Sequence, residues 1–170
     1  TYDHDEFGNV ISMISPRGNA AGITNPQDYE VTYDHDVLGR RTHTIAPTVA
    51  VQGSADARPT TIVGYDVFGS ITHSQDERGY VTVTAYDDLG RVETITHPTY
   101  TRPYDDVLVT PTESFLYDAN GNTISHTSRR DNTTTYDFDS MNRAIRQTDP
   151  AVGADPAGVW RTFYLSLIHI

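Results

Sequence analysis

One short phrase recurs along this chain and constrains its fold more than any other feature. A Tyr-Asp pair is followed, four or six residues after the tyrosine, by a marker residue that is Gly in five copies and Asn in the sixth. The pairs and their markers are Tyr2-Asp3 with Gly8, Tyr33-Asp34 with Gly39, Tyr65-Asp66 with Gly69, Tyr86-Asp87 with Gly90, Tyr117-Asp118 with Gly121, and Tyr136-Asp137 with Asn142. A chain that repeats one supersecondary unit folds as an array of such units.

The spacing of the markers predicts hairpins. Successive markers are 31, 30, 21, 31 and 21 residues apart, so two unit lengths alternate irregularly. The gap from tyrosine to marker is four or six residues and never five. Because side chains alternate across a strand with a period of two, a loop that is longer by two residues keeps every flanking residue on its face. A β-hairpin requires this parity.

The composition favours strands over helices. Thr occurs 24 times against six Leu, Lys is absent, and β-branched and aromatic residues fill the segments between the turn residues. Segments 60–65 and 80–86 predict strands that run into a Tyr-Asp turn, and segment 91–96 predicts a strand that leaves one. We therefore predict an all-β fold of repeated antiparallel β-hairpins, with at least ten strands in residues 1–164 and no helix longer than two turns.

A second set of turns lies beyond the markers. Gly18, Gly79 and Asp131 stand ten residues after a marker, where the sequence has turn chemistry that suits positive φ. The strand between the two turns is then about seven residues long. Prolines stand eight residues after four markers, at Pro16, Pro47, Pro98 and Pro150. Three of these introduce longer segments, 46–59, 97–112 and 149–160, which we predict to be loops that project from the sheet edge.

Each residue of the repeated phrase has a structural role. A tyrosine at a strand end offers a large apolar face for cross-strand stacking and a hydroxyl for a backbone group. The following aspartate can accept backbone N–H bonds across the turn, and the marker supplies a residue at positive φ. A catalytic group is rarely needed six times, so the repeat indicates architecture.

The repeated phrase also resembles a known family. Tyr-Asp-Asp-Leu-Gly-Arg-Val at 86–92, Tyr-Asp-Val-Phe-Gly-Ser-Ile at 65–71 and Tyr-Asp-Ala-Asn-Gly-Asn at 117–122 are similar to the repeat of the rearrangement-hotspot family, known as RHS or YD-repeat proteins. The resemblance covers about residues 1–150. Segments 33–39 and 136–142 depart from the pattern by two added residues, and the second also by Asn in place of Gly.

The resemblance implies a fold and a function. Members of this family wind β-hairpins into a spiralling sheet that closes as a hollow shell, and in bacterial polymorphic toxins the shell encloses a toxic C-terminal domain. The related animal teneurins use such a barrel in cell adhesion. By resemblance, we expect a non-enzymatic scaffold without cofactors, in a larger secreted or cell-surface bacterial protein. Its partners would be neighbouring repeats and an enclosed toxin or effector. The alternative is an adhesin-like module whose projecting loops bind glycan or protein.

Charge and composition exclude several other classes of function. The formal net charge is −11, and the 12 basic residues form no stripe, which argues against nucleic-acid binding. No cysteine is present, so disulfides and thiolate metal sites are excluded. No apolar run is long enough for a membrane-spanning helix.

Three constellations have some likeness to chemical sites. Asp3-His4-Asp5 and Asp34-His35-Asp36 contain metal-ligand residues, but neighbouring strand residues point to opposite faces, which weighs against a metal site. The segment 118–122 begins like a calcium loop without its later ligands, so we predict a plain turn there. Asp155-Pro156 is faintly similar to part of a self-cleaving segment of the family, and we interpret it as a loop.

The two ends of the sequence lead to separate predictions. We predict that residues 1–164 are an array of about six units that is truncated at both ends. The last six residues, 165–170, have no repeat character, and we interpret them as a non-native tail, with a genuine apolar strand as the alternative.

Overall fold

The computed structural model describes residues 1–49, 56–150 and 161–163 of the 170. The chain divides into two compact units, Thr1–Val83 and Thr84–Ile170. The boundary between the units falls inside strand β7 (Val81–Tyr86).

The first unit is an antiparallel meander. Its strands pair in chain order, each with the next, up to the first half of β7. They are β1 (Tyr2–His4), β2 (Val10–Ile14), β3 (Glu30–His35), β4 (Arg41–Ile45), β5 (Thr60–Tyr65) and β6 (Ile71–Gln75). A four-residue 3-10 helix, Pro26–Tyr29, precedes β3 and has a proline in its first turn, where no N–H is needed.

The second unit repeats this plan with one insertion. Strand β8 pairs with β11 because a separate two-stranded hairpin, β9 with β10, lies between them in sequence. The strands are β8 (Val92–Thr96), β9 (Tyr100–Thr101), β10 (Leu108–Val109), β11 (Thr112–Tyr117), β12 (Thr123–Thr127), β13 (Thr133–Phe138), β14 (Ala144–Thr148) and β15 (Arg161–Phe163). Strands β11 to β15 pair in chain order and antiparallel.

The meander separates two kinds of connection. All turns that contain a marker residue join the two strands of one hairpin. They therefore lie along the same side of their unit, where the strands end, and we call this side the marker edge. The remaining connections lie at the other edge, called the opposite edge. Just before the marker turn, five hairpins have a register shift, for example between Gly64 and Tyr65. Such β-bulges increase the local twist of a strand pair.

Neither unit contains a conventional hydrophobic core within its described residues. Among residues 1–49 and 56–150 no hydrophobic side chain is buried, and the buried residues are Ser12 and Gly18. Each unit is therefore held by backbone pairing and by contacts between side chains of neighbouring strands, which are the elementary contributions to sheet stability. A sheet normally buries one face against another layer.

The all-β prediction and the prediction of repeated antiparallel hairpins are confirmed. Fifteen strands lie in the described residues, and the one helical segment there is a single turn. The predicted strand length was wrong: the strands that leave a marker turn have five residues rather than seven, as in β4 and β6. The turns at both ends take up the difference.

Candidate functional site: the repeated turn and the bridges between hairpins

The marker turn is a closed five-residue loop that begins with an aspartate. In the loop at 66–70, the Asp66 amide donates to the Ser70 carbonyl (3.0 Å) and the Gly69 amide donates to the Asp66 carbonyl (3.2 Å). The Asp66 Oδ1 atom accepts the amides of Phe68 and Ser70, each at 2.8 Å. One carboxylate therefore satisfies two amides that the turn leaves without a backbone partner.

The same loop occurs at all six markers. The aspartate always stands three residues before the marker, at Asp5, Asp36, Asp66, Asp87, Asp118 and Asp139. The marker itself has positive φ in every case, from 60° at Asn142 to 96° at Gly69. Glycine adopts this conformation without steric cost, and asparagine is the best tolerated alternative.

Hydrogen bonding lowers the pKa of these turn carboxyls. At Asp87, the Arg91 side chain contributes most, followed by the backbone amide of Arg91, and together they hold the pKa of the carboxyl below its usual range. At Asp66 partial burial would raise the pKa, but the amides of Ser70 and Phe68 outweigh it. The turn aspartates are therefore ionised acceptors at neutral pH.

This geometry corrects the interpretation of three repeated aspartates. Asp66, Asp87 and Asp118 follow their tyrosine directly and close the turn, as predicted. Asp3, Asp34 and Asp137 do not, because the two added residues of those units extend the strand and leave the turn unchanged. Asp34 lies opposite His43 in the neighbouring strand, with 3.6 Å between its Oδ2 and the imidazole Nδ1, and Asp137 forms an ion pair with Arg146.

A constant Asp-x-x-Gly or Asp-x-x-Asn spacing in the sequence is the signal that identifies the turn. The spacing from tyrosine to marker does not identify the turn, because the tyrosine lies either directly before the turn or two residues earlier on the same face of the strand. In the three repeats with two added residues, the last strand residue before the turn is His4, His35 or Phe138. The Nδ1 atom of His35 is buried without a hydrogen-bond partner.

Two of the tyrosines bridge consecutive hairpins. The Tyr65 hydroxyl donates to the carbonyl of Arg41 in the preceding hairpin (3.0 Å), and the Tyr117 hydroxyl donates to that of Val92 (2.7 Å). An arginine that directly follows the preceding marker lies over each ring: Arg40 is 4.6 Å from the Tyr65 centroid and Arg91 is 4.4 Å from that of Tyr117. Cation–π contact and a hydroxyl bond therefore join one hairpin to the next.

The same arginines also tie the turns to one another. Arg91 donates to the carboxylate of its own turn, from Nε to Asp87 Oδ2 (2.7 Å), and from Nη1 to the carbonyl of Asp118 in the next turn (3.3 Å). Arg40 repeats both contacts with Asp36 and Asp66. In each unit, one arginine at the marker edge thus ties its own turn to the next turn.

The remaining repeated tyrosines have other surroundings. Tyr33 lies below Arg41, with the guanidinium 4.1 Å from its ring centroid. Tyr2 pairs with Met13 and is largely exposed, and Tyr136 pairs with Gln147. Tyr86 ends strand β7 directly before the turn that begins at Asp87.

An ionic cluster at the opposite edge of the second unit was not predicted. Glu113 accepts from His97 Nε2 at 2.7 Å, and its other oxygen lies 3.3 Å from His126 Nε2. The Arg129 Nε donates to the same carboxylate at 2.8 Å. Arg129 contributes most to holding the pKa of Glu113 at about 2, and the two histidines add to it. The His126 ring stacks on Phe115, with 4.7 Å between centroids.

Comparison with known proteins identifies part of the array. The family described as RHS Repeat matches residues 117–151. The family resemblance predicted from the Tyr-Asp phrase is therefore confirmed. A comparison with curated protein sequences finds no match.

Solved structures support the same fold. The chain is similar to the structure described as TcdB2-TccC3-Cdc42, with a TM-score of 0.58 and 17% identity over 87% of this chain and 7% of that one. It is also similar to TcdB2-TccC3 without hypervariable C-terminal region, with a TM-score of 0.54 and 13% identity over 93% of this chain and 8% of that one. The chain thus spans less than a tenth of the length of these chains.

The structure describes part of the predicted projecting loops. In segment 97–112 the β9–β10 hairpin is closed by the Arg102–Asp105 ion pair (2.6 Å). In segment 46–59 Arg58 donates to the carbonyl of Ala46 (3.0 Å) and Val49 pairs with Ala57, while residues 50–55 lie outside the described part. Of segment 149–160 only residues 149 and 150 are described, so Asp155-Pro156 and the tail 165–170 lie outside it.

The weak chemical sites give no support to metal chemistry. Within the described residues, no group of three or more His, Cys, Asp or Glu side chains is arranged to hold a metal. Asp5 and Asp36 act as turn acceptors, and so does Asp118 in the segment that begins like a calcium loop. Across the described part of the chain, no helix has the length and apolarity to cross a membrane.

Proposed function

We propose that this chain is a non-enzymatic segment of an RHS shell that encloses a C-terminal toxin or effector polypeptide in a larger secreted or surface protein. The observation that carries the proposal is one type of connection between hairpins that recurs in both units. Arg40 with Tyr65 in the first unit and Arg91 with Tyr117 in the second make the same three contacts between consecutive hairpins. Repeated connections between neighbouring hairpins can join an array into a continuous wall.

The lack of a buried core in the described residues adds to this argument. A sheet that leaves its apolar side chains partly exposed gains stability from any polypeptide that covers it. A wall around a cargo chain would receive that cover from the cargo. Containment needs no catalytic residue, and it uses the repeated side chains only to hold the wall together.

Protection from protease tests containment. In the larger protein, expressed with all that follows the array, we expect the C-terminal segment to resist limited trypsin digestion while the array is folded. Gly90→Val, which strains a marker turn, should expose that segment at a lower temperature than Tyr104→Phe, a matched change at an exposed residue. Digestion of the segment at equal rates in the folded wild type and as an isolated peptide would contradict containment.

The binding alternative is favoured by the β9–β10 hairpin. Tyr104 is 79% exposed, and Tyr100 and Leu108 are exposed as well, while Arg102 lies 5.0 Å from the Tyr104 ring centroid. Tyrosine and arginine are enriched where proteins bind partners. If this hairpin binds glycan or protein, Tyr104→Ala should abolish capture of that ligand without changing the melting temperature.

A further inference from the structure

Large apolar side chains stand at the tips of the marker turns in the first unit. The residue directly before the marker is Phe7, Leu38 and Phe68 in the three turns, with 82%, 70% and 91% of its surface exposed. Val37 and Val67 occupy the preceding position in two of them and are as exposed. We call these five residues the apolar ridge.

The turn itself does not require apolar tips. The connection at 76–80, at the opposite edge of the same unit, has the same hydrogen bonds: Asp76 Oδ1 accepts the amides of Arg78 and Tyr80 at 2.9 Å each, and Gly79 has a φ of 83°. Its tip residues are Glu77 and Arg78. The turn therefore tolerates charged side chains at its tip, so turn formation does not explain the apolar ridge.

The apolar ridge is regular and continuous. The three turns have equivalent hydrogen bonds and lie at the same edge of consecutive hairpins, so their tips are about 10 Å apart, twice the spacing of neighbouring strands. The turns also approach closely, since a Cβ at Gly39 would lie 3.2 Å from Asn9 Oδ1. Beside the ridge, Phe7, Val37 and Leu38 help to line a depression of ≈ 800 Å³ between the first two hairpins.

The size of the apolar ridge fits an interface between proteins. Its two phenylalanines alone offer about 350 Å², at ~200 Å² for each aromatic side chain. With three aliphatic residues added, the apolar ridge approaches the ~800 Å² that each partner buries in a standard interface. Exposed apolar patches of this size mark interaction sites.

The regular spacing indicates which partner fits. A surface with three tips about 10 Å apart is complementary in spacing to another copy of itself, and a two-fold axis lets each copy present the same patch. We propose that the apolar ridge is a self-association surface on which a second copy of this chain packs antiparallel, with the two-fold axis near Leu38. Phe7 of one copy then lies opposite Phe68 of the other, beside the depression.

The charge of the chain sets the conditions for this contact. The formal net charge of −11 repels a second copy. Among the six tip residues of the three turns, however, Glu6 is the one charged residue. The ionised turn aspartates stand directly before the tip residues and accept backbone amides. Salt near 0.15 M screens charges beyond about 8 Å, so self-association should strengthen as salt rises from low concentration to this value.

Sedimentation of the 170-residue chain tests the proposal. We expect a monomer–dimer equilibrium in which Phe68→Ser, and separately Leu38→Ser, lowers the association constant about 30-fold or more. Arg78→Ser, in the equivalent turn of the opposite edge, should leave it within about twofold. We expect each variant to keep its strands, because the backbone amide of the tip residue still donates to the turn aspartate. Circular dichroism checks this.

Two outcomes of this measurement overturn the proposal. One is a wild-type chain that stays monomeric at about 100 μM in 0.15 M salt. The other is association that persists in both ridge variants, which would assign it to unpaired strand edges instead.

Disulfide cross-linking tests the antiparallel arrangement. Because the chain has no native cysteine, an introduced cysteine can cross-link only to another introduced cysteine. Under mild oxidation we expect Leu38→Cys to cross-link to itself, and a mixture of Phe7→Cys and Phe68→Cys to give the mixed dimer. Phe7→Cys alone should cross-link no more than Arg78→Cys. Efficient cross-linking of Phe7→Cys to itself, with no mixed dimer, would contradict the two-fold axis at Leu38.

Discussion

The two edges of this array differ in how much variation they allow. At the marker edge, every hairpin closes with the same aspartate-led loop, and in each unit one arginine ties a loop to the next. At the opposite edge, the connections range from the five-residue loop at 76–80 to a 3-10 segment and a separate hairpin. The contrast teaches that the array is held together at one edge and accommodates insertions at the other.

The largest expected effect is steric and lies at the opposite edge. A Cβ added to Gly18 would stand 2.7 Å from both Ile14 Cγ2 and Tyr29 Cβ. Gly18→Val should therefore destabilise the chain by about 3 kcal/mol, measured by urea unfolding. Gly18→Asn should be nearly as harmful, since the cause is lack of space rather than positive φ. The predicted positive φ at Gly18 is not observed.

A smaller loss of stability is expected at the marker edge, where valine should be harmful but asparagine should be tolerated. Gly90 has a φ of 76° and open space around its Cβ position. Gly90→Val should cost about 1–2 kcal/mol through backbone strain, whereas Gly90→Asn should cost less than about 0.5 kcal/mol, as Asn142 already shows this conformation. Equal costs for the two variants would contradict the marker-turn geometry.

Much of the marker edge could be predicted from sequence, because a turn is local. The glycines, the hairpin parity and the turn aspartates Asp66, Asp87 and Asp118 follow from spacings of a few residues. The cluster around Glu113 could not, because His97 is 16 residues away in sequence and an inserted hairpin sets which residues face each other. The placement of Asp34 and Asp137 was wrong because added strand residues look like added loop residues in a sequence.

Acid should loosen the opposite edge of the second unit. The pKa of Glu113 is about 2 in the folded chain, below its ordinary value of 4.5, so this group stabilises the fold fully above about pH 4.5. That contribution is lost as pH falls from about 4.5 towards 2. We expect Glu113→Gln to reduce stability at pH 6 and to flatten the decline of stability over this window, measured by urea unfolding at each pH.

The matched control for this effect is Glu93→Gln, a carboxylate in the neighbouring strand β8. It should change stability at pH 6 by less than about 0.5 kcal/mol and leave the pH dependence intact. If Glu113→Gln has the same pH profile as the wild type, the ionic cluster does not hold this edge.

The most direct test of coupling between hairpins at the marker edge is a double-mutant cycle on Arg91 and Tyr117. The single variants Arg91→Ala and Tyr117→Ala and the double variant isolate the contact between the Arg91 guanidinium and the Tyr117 ring, which joins two hairpins. The reference cycle uses Arg102 and Tyr104, a similar pair within one projecting hairpin. We predict a coupling energy of about 1 kcal/mol for Arg91–Tyr117 and near zero for the exposed reference pair. Coupling that is absent in the first pair, or larger in the second, would contradict an array held together at its marker edge.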